Sequence, residues 1–306
     1  MLITCEQCQA RYDLDVSKIS KPVFKVRCAK CNHGFTVAKP AEPEDDIVLE
    51  AADRARPDHF VIAVSNQKGG VAKTSTCANL GLSLAELGKK VLLIDFDVQA
   101  NLTTLLDLSP DLPSYFDLLN AGMENINRYI HDTAIPNLSL LPSNSRMALL
   151  TKHFLHRPNF EFMLRDSLRW LDDRFDFVLV DTPPAIGYCT LNALTAADHV
   201  IIPTPCEYLS MHGIHKIEEI IRVIRRRARS NIDYSILITM HDPASVASRV
   251  IFRKIGEIFG DKVLRTVIEL DEKMKESQIM HQPVFLYDRE SPSARQYMEL
   301  AREITG

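Results

Sequence analysis

The stretch FVIAVSNQKGGVAKTS, residues 60–75, decides how the rest of the chain is read. Phe60 to Val64 are apolar without polar alternation, as in a strand covered on both faces. A loop with two adjacent glycines and two lysines follows, and then a helical run from Thr74. Glycines let backbone N–H groups approach an anion, a helix N-terminus adds positive potential, and Lys73 is placed to reach terminal phosphates. The Thr74 hydroxyl is placed to ligate Mg²⁺. The strict pattern G-x-x-x-x-G-K-[ST] fails at both glycine positions, which are Gln67 and Ala72. What fits is K-G-G-x-x-K-[ST], with an additional lysine, Lys68, at its head. Taken alone, the loop could also be a glycine turn before a surface helix.

Working outward, further short runs rich in Val, Ile and Leu read as buried parallel strands: 90–95, 138–142, 177–181, 199–203 and 235–240. Between them lie amphipathic stretches, among them 74–87, 160–175, 214–229 and 245–259. This alternation predicts an α/β fold, a doubly wound, mostly parallel sheet with right-handed crossovers and helices on both faces. Two acidic motifs sit at strand ends, where an open sheet places its ligand. They are Asp95-Phe96-Asp97-Val98-Gln99-Ala100-Asn101 and Asp181-Thr182-Pro183-Pro184. One such aspartate alone could be a helix cap, but three motifs in order, each after an apolar strand, argue for one phosphate site.

The lysine-headed loop and the two acidic motifs resemble those of the ParA/MinD deviant P-loop ATPases. Asn192 to Asp198, Pro205-Cys206-Glu207-Tyr208, Phe259 to Val263 and Pro283 to Asp288 favour the ParA/Soj branch. The resemblance spans roughly residues 60–304. It implies an ATP-dependent homodimer that sandwiches two nucleotides, with Lys68 touching the partner's nucleotide. ATP would lie on Lys68, Gly69, Gly70, Val71, Ala72, Lys73, Thr74 and Ser75. Catalysis would fall to Lys68, Lys73 and Asp97, the last orienting the attacking water, with Thr74, Asp95 and Asp181 around Mg²⁺. Slow hydrolysis of ATP to ADP and phosphate would act as a timer, stimulated by a ParB-like or cargo-adaptor activator, to segregate DNA or position another large cargo. The expected location is cytoplasmic and nucleoid-associated. Two departures matter: the family usually has Gly where this chain has Ala72, and Ile-Pro-Arg-Asn where it has Ile268-Glu269-Leu270-Asp271. Adenine contacts are therefore not carried over.

The run IHKIEEIIRVIRRRAR, residues 214–229, is apolar on one helical face, with Arg222, Arg225, Arg226 and Arg229 on a separate stripe. From the residues alone this is either a solvated face complementing the helix C-terminus or a site for phosphates. The ParA resemblance implies that such a patch holds the ATP dimer on nonspecific DNA, Arg222 aligning with a DNA-contacting arginine. A second family arginine, expected after Asp242, is replaced by Pro243-Ala244, and Arg249 and Arg253 are nearby substitutes.

Ahead of all this, Cys5-x2-Cys8 and Cys28-x2-Cys31 form a Cys₄ zinc pattern; a redox dithiol pair is the competing reading. A segment this short has too little core to fold alone, so Zn²⁺ would supply the folding energy. The spacing of Ile3, Tyr12, Arg27 and Phe35 around the cysteines resembles small bacterial zinc-ribbon fingers. His33 is read as a non-ligand, and Cys77, Cys189 and Cys206 as packing thiols. The expected organisation is a zinc ribbon at 1–37, a flexible acidic linker at 38–58 and an ATPase domain at 59–306. The ribbon carries six basic and three acidic residues and the linker three and seven, within a net charge of −4. With 46% hydrophobic residues, no run long enough to span a membrane and no signal peptide, the chain is expected inside the cell without disulfides. No membrane partner is expected. The rival readings are a MinD-like membrane-associated ATPase, which needs a C-terminal amphipathic basic helix, and a DNA-binding regulator whose ribbon reads DNA.

Overall fold

The computed structural model describes residues 2–13, 23–38, 59–207, 210–228 and 230–306. The chain divides into two compact units, Met1–Glu50 and Ala51–Gly306. Of the expected linker only Ala38 is described, closing a strand; the rest lies outside the described residues.

The first unit contains two antiparallel hairpins, β1 (Leu2–Thr4) with β2 (Arg11–Asp13) and β3 (Val23–Arg27) with β4 (Gly34–Ala38). Ile3, Cys5, Cys28, Phe35 and Val37 form its small core.

The second unit is built on strands β5 (Phe60–Val64), β6 (Val91–Asp95), β7 (His131–Asp132), β8 (Leu138–Leu141), β9 (Phe177–Asp181), β10 (His199–Pro205), β11 (Asp233–His241) and β12 (Val263–Glu269). Its helices are α1 (Lys73–Glu86), α2 (Asn101–Leu105), α3 (Tyr115–Ala121), α4 (Leu150–Phe154), α5 (Met163–Leu168), α6 (Tyr188–Ala196), α7 (Ser210–Ala228), α8 (Val246–Phe259), α9 (Glu272–Ile279), α10 (Val284–Tyr287) and α11 (Pro292–Thr305). The sheet runs β12-β11-β10-β5-β9-β6-β8-β7, parallel except for β7, which pairs antiparallel with β8. Alternate residues of each strand feed opposite cores. Val61, Ala63, Leu92 and Ile94 pack with α3 to α8, whereas Ile62, Val64, Val91 and Leu93 pack with α1, α2, α10 and α11. Burial on both faces explains why these strands read as unbroken apolar runs. The chain winds from β5 to β6 on one side and reaches β10 on the other, so the carboxyl end of β5 is the switch point where such sheets bind ligands.

Two expectations change. The stretch 160–175 is not one helix but a 3₁₀ turn at Phe160–Phe162 followed by α5, ending at Leu168. Beyond it the Asn127 side chain captures the backbone, donating to the Trp170 carbonyl (2.8 Å) and accepting from the Asp172 N–H (3.2 Å). The sheet has two strands beyond the six the sequence predicts, β7 and β12: β7 spans two residues, and in β12 Arg265, Thr266 and Glu269 interrupt the apolar pattern, although Val263 and Val267 pack toward one core and Leu264 and Ile268 toward the other. The C-terminal helix α11 turns Ala294, Tyr297, Leu300 and Ala301 into the core. Among the described residues no helix is long and apolar enough to cross a membrane.

Candidate functional site

Past β5, Ser65 donates its N–H to the Ile201 carbonyl (3.0 Å) and Asn66 Nδ2 donates to the Pro203 carbonyl (2.8 Å), fixing the start of the loop on β10. Asn66 Oδ1 accepts the Lys68 N–H (3.1 Å). Gly213, in the first turns of α7, lies against the same side chain: a Cβ there would sit 2.6 Å from Asn66 Oδ1. The loop then passes exposed Gly69 and Gly70 and reaches Ala72 at φ 68°, ψ 31°, the left-handed region, as the N-cap of α1. Ala72 offers no side-chain cap, but its carbonyl accepts the Thr76 N–H (2.8 Å). The α1 N–H groups that follow open toward the loop.

Lys73 Nζ donates to the Lys68 carbonyl (2.9 Å), so the lysine folds back across the cradle it serves. Lys68 itself forms an ion pair with Glu207, just beyond β10. Thr74 Oγ1 donates to Asp181 Oδ2 (2.6 Å). The other oxygen, Asp181 Oδ1, is buried with no hydrogen-bond partner among the described residues, although an unmet buried carboxylate oxygen is costly. Burial, then the neighbouring Asp95, push the Asp181 carboxyl well above the usual range. Burial also lowers the Lys73 ammonium, against the opposing pull of Asp181 and Asp97. A buried carboxylate oxygen without a donor, beside a hydroxyl and a lysine, fits a hydrated divalent cation under a phosphate chain.

Asp95 pairs in register with Asp181 across β6 and β9, but its oxygens are already engaged. Oδ1 accepts the Asp97 N–H (3.0 Å), and Oδ2 accepts both the Thr103 N–H (2.9 Å) and its hydroxyl (2.7 Å). Burial nevertheless raises this carboxyl to about 6. Asp95 thus latches the loop that carries Asp97 and adds charge beside Asp181, and with Thr74 and Asp181 it stays a candidate for the shell around the metal. Half-buried Asp97 accepts the Gln99 N–H (3.0 Å), and Ala100, again left-handed at φ 53°, starts α2. Beside Thr74 and Ser75, a cavity of about 360 Å³ is lined by Asn101, Thr104, Leu105, Gln278 and His281. Gln278 donates to Ser75 Oγ (3.0 Å). Thr103 and Gln278 carry no motif, and nothing in the sequence ties Glu207 to Lys68; only the fold brings these three to the loop.

On α7 the apolar face formed by Ile214, Ile217, Ile221 and Ile224 is buried, and Arg222, Arg225 and Arg226 are exposed. Arg225 is committed elsewhere, donating to the Ile232 carbonyl (2.7 Å) and to Asp233 (3.1 Å), so it pins the end of α7 to β11. Among the described residues, Arg226 Nε reaches only the Arg222 carbonyl (3.4 Å). Arg222 and Arg226 meet no carboxylate among the described residues, and Arg229 lies outside them.

In the first unit the four thiols of Cys5, Cys8, Cys28 and Cys31 lie within 4.8 Å of one another. Cys5 and Cys31 Sγ are 3.6 Å apart and Cys8 and Cys28 Sγ 3.5 Å. A Zn–S bond of about 2.3 Å gives a tetrahedral edge of roughly 3.8 Å, so the thiols need only small adjustments to close on the ion. The two knuckles match. Gln9 (φ 58°) and Asn32 (φ 59°) are both left-handed, and their N–H groups return to the carbonyls of Cys5 (3.0 Å) and Cys28 (2.9 Å). The Tyr12 hydroxyl, 3.2 Å from Cys28 Sγ, holds that thiol down to about 6. His33 stacks on Phe35, outside the cysteine cluster.

Comparison with known proteins finds relatives for both units. A family profile described as an AAA domain matches residues 59–234, and a zinc-ribbon domain matches residues 1–36. The chain is 36% identical over 78% of its length, and 94% of the relative, to "Chromosome-partitioning ATPase Soj" of Treponema pallidum. It is 33% identical over 80% of its length, and 97% of the relative, to "Sporulation initiation inhibitor protein Soj" of Bacillus subtilis. Among solved structures, the Mycobacterium smegmatis protein titled cobyrinic acid a,c-diamide synthase, with ADP and magnesium, superposes with a TM-score of 0.71 at 32% identity, covering 81% of this chain and 94% of that one. A lysine-headed phosphate loop, a buried aspartate opposite its threonine and this extent of likeness place the chain in the Soj/ParA family of ParA/MinD-type ATPases, with a zinc ribbon at its N-terminus.

Proposed function

We propose that this chain is an ATP-driven dimerisation switch that binds nonspecific DNA when loaded and positions DNA or another large cargo, with a ParB-like or adaptor protein stimulating hydrolysis. The carrying observation is the buried, unpartnered Asp181 Oδ1 beside the Thr74 hydroxyl, at the mouth of the phosphate loop. Magnesium would neutralise the phosphate charge; Thr74 and Asp181 hold it, and Asp95 keeps the adjoining loop latched. The loop amides and Lys73 bind the phosphates once Lys73 leaves the Lys68 carbonyl. Lys68 exchanges Glu207 for the partner's nucleotide, and Asp97 orients water for attack. Arg222 and Arg226 meet DNA phosphates, doubled in the dimer. The ribbon and the ATPase act as modules joined through residues 38–58, and the nucleoid is the expected location. The test is magnesium-dependent ATP hydrolysis with Asp181→Asn alongside. Turnover and magnesium dependence equal to the unaltered protein in that variant would remove the basis of the proposal.

A further inference from the structure

In the zinc ribbon, Tyr12 is a polar side chain whose task the four cysteines leave open. Tyr12, on β2, reaches across to the second knuckle, with its hydroxyl 3.2 Å from Cys28 Sγ. The Lys30 N–H, inside that knuckle, donates to the same hydroxyl oxygen at 3.2 Å. An oxygen that accepts from a backbone amide keeps its own proton for a second partner, and the partner in reach is sulfur. A zinc-bound cysteine has no proton, so the phenol must donate and the sulfur accept. Cys28 is buried, which leaves its thiolate few water molecules to share the negative charge, and Tyr12 packs its ring against the core formed by Ile3, Phe35 and Val37.

We infer that Tyr12 is an outer-sphere positioning residue of the zinc site: its hydroxyl donates to the Cys28 thiolate and sets how tightly and how inertly the ribbon holds its metal. Partners that hydrogen-bond to first ligands typically change metal affinity by 10–100-fold. The donated proton also withdraws charge from the sulfur lone pair, making it a weaker nucleophile. Because Tyr12 belongs to the first hairpin and Cys28 to the second, the bond also closes the two halves on each other.

The test uses the full chain loaded with zinc(II) or cobalt(II). For Tyr12→Phe we expect zinc to be held about tenfold less tightly in competition with a chromogenic chelator. The thiolate-to-cobalt charge-transfer band should move to lower energy, and N-ethylmaleimide should release zinc faster. Incorporating 3-fluorotyrosine at position 12 keeps the ring and strengthens the donor, so the band should move the opposite way. Phe35→Leu, a packing control, should weaken the ribbon without moving the band. An affinity within twofold of the unaltered chain together with an unshifted band in Tyr12→Phe overturns the inference. So does an unshifted band in the fluorinated chain, or an equal shift in Phe35→Leu.

Discussion

Ala72 is an L-residue in a glycine's conformation, and that has a measurable consequence. It caps α1 at φ 68°, ψ 31°, where its Cβ crowds the following carbonyl. The left-handed region costs a non-glycine residue about 1–2 kcal/mol. Replacing it with glycine removes that cost but adds about 0.4–1 kcal/mol of chain entropy to the unfolded state. Ala72→Gly should therefore stabilise the nucleotide-free protein by roughly 0.5–1 kcal/mol. For a domain of this size that raises Tm by about 1–4 °C, readable by calorimetry. Ala72→Val should move the other way, because a β-branched side chain tolerates this region least. Isothermal titration with magnesium and a non-hydrolysable ATP analogue separates strain from obstruction. If the loop is preformed, Tm rises while affinity holds; if the methyl group also blocks the phosphate, affinity rises too. A Tm for Ala72→Gly equal to or below that of the unaltered chain, with Ala72→Val equally stable, would refute the reasoning.

Lys68→Ala should still bind ATP yet remain monomeric in light scattering, whereas Asp97→Ala should accumulate the ATP dimer because water loses its orienting carboxylate. With Arg225 tied to Asp233, a dimer offering Arg222 and Arg226 twice has about four phosphate contacts, so DNA affinity should fall roughly 100-fold between 50 and 200 mM salt and become nearly flat in Arg222→Ala/Arg226→Ala. Asp95→Asn should lower stability by about 1–3 kcal/mol in denaturant titration, since an amide cannot accept from Asp97 and from both Thr103 donors. His199, held by Ser235 (3.0 Å), has a lowered pKa because burial outweighs the pull of Asp233 and Asp198, with Lys262 adding to the depression. Its folded form favours neutral imidazole, so that contribution is present above pH of about 6.5 and lost as pH falls below it; His199→Gln should narrow the Tm difference between pH 7.5 and 5.5.

The parts of the site that announce themselves are those whose chemistry is local. Residues 68–74 contain their own helix start and phosphate donors, Asp95 and Asp181 each end a strand buried on both faces, and Asp97 lies two residues past the first. What sequence does not reveal is the second partner of a side chain. Arg225 looks like Arg222 on a helical wheel, and only the turn into β11 brings Asp233 and the Ile232 carbonyl against it. Asp95 and Asp181 stand at equivalent strand ends, yet Thr103, eight residues further on, satisfies one and leaves the other short of a donor. Glu207 meets Lys68 from 139 residues away, a pairing no spacing rule reaches. In the ribbon, by contrast, the two Cys-x2-Cys pairs specify nearly everything, because identical knuckles repeat over a few residues.

The absence of a side chain at Gly213 makes the phosphate loop and the arginine-bearing helix mechanically continuous. Asn66 is clamped to Pro203 and to the Lys68 amide, so its Oδ1 has no slack, and α7 rests on it without an intervening methyl group. A soft contact would absorb a few tenths of an ångström; bare backbone against an anchored amide passes it on. A shift of Asn66 would therefore meet the start of α7 directly, on the helix that carries Arg222 and Arg226 further along.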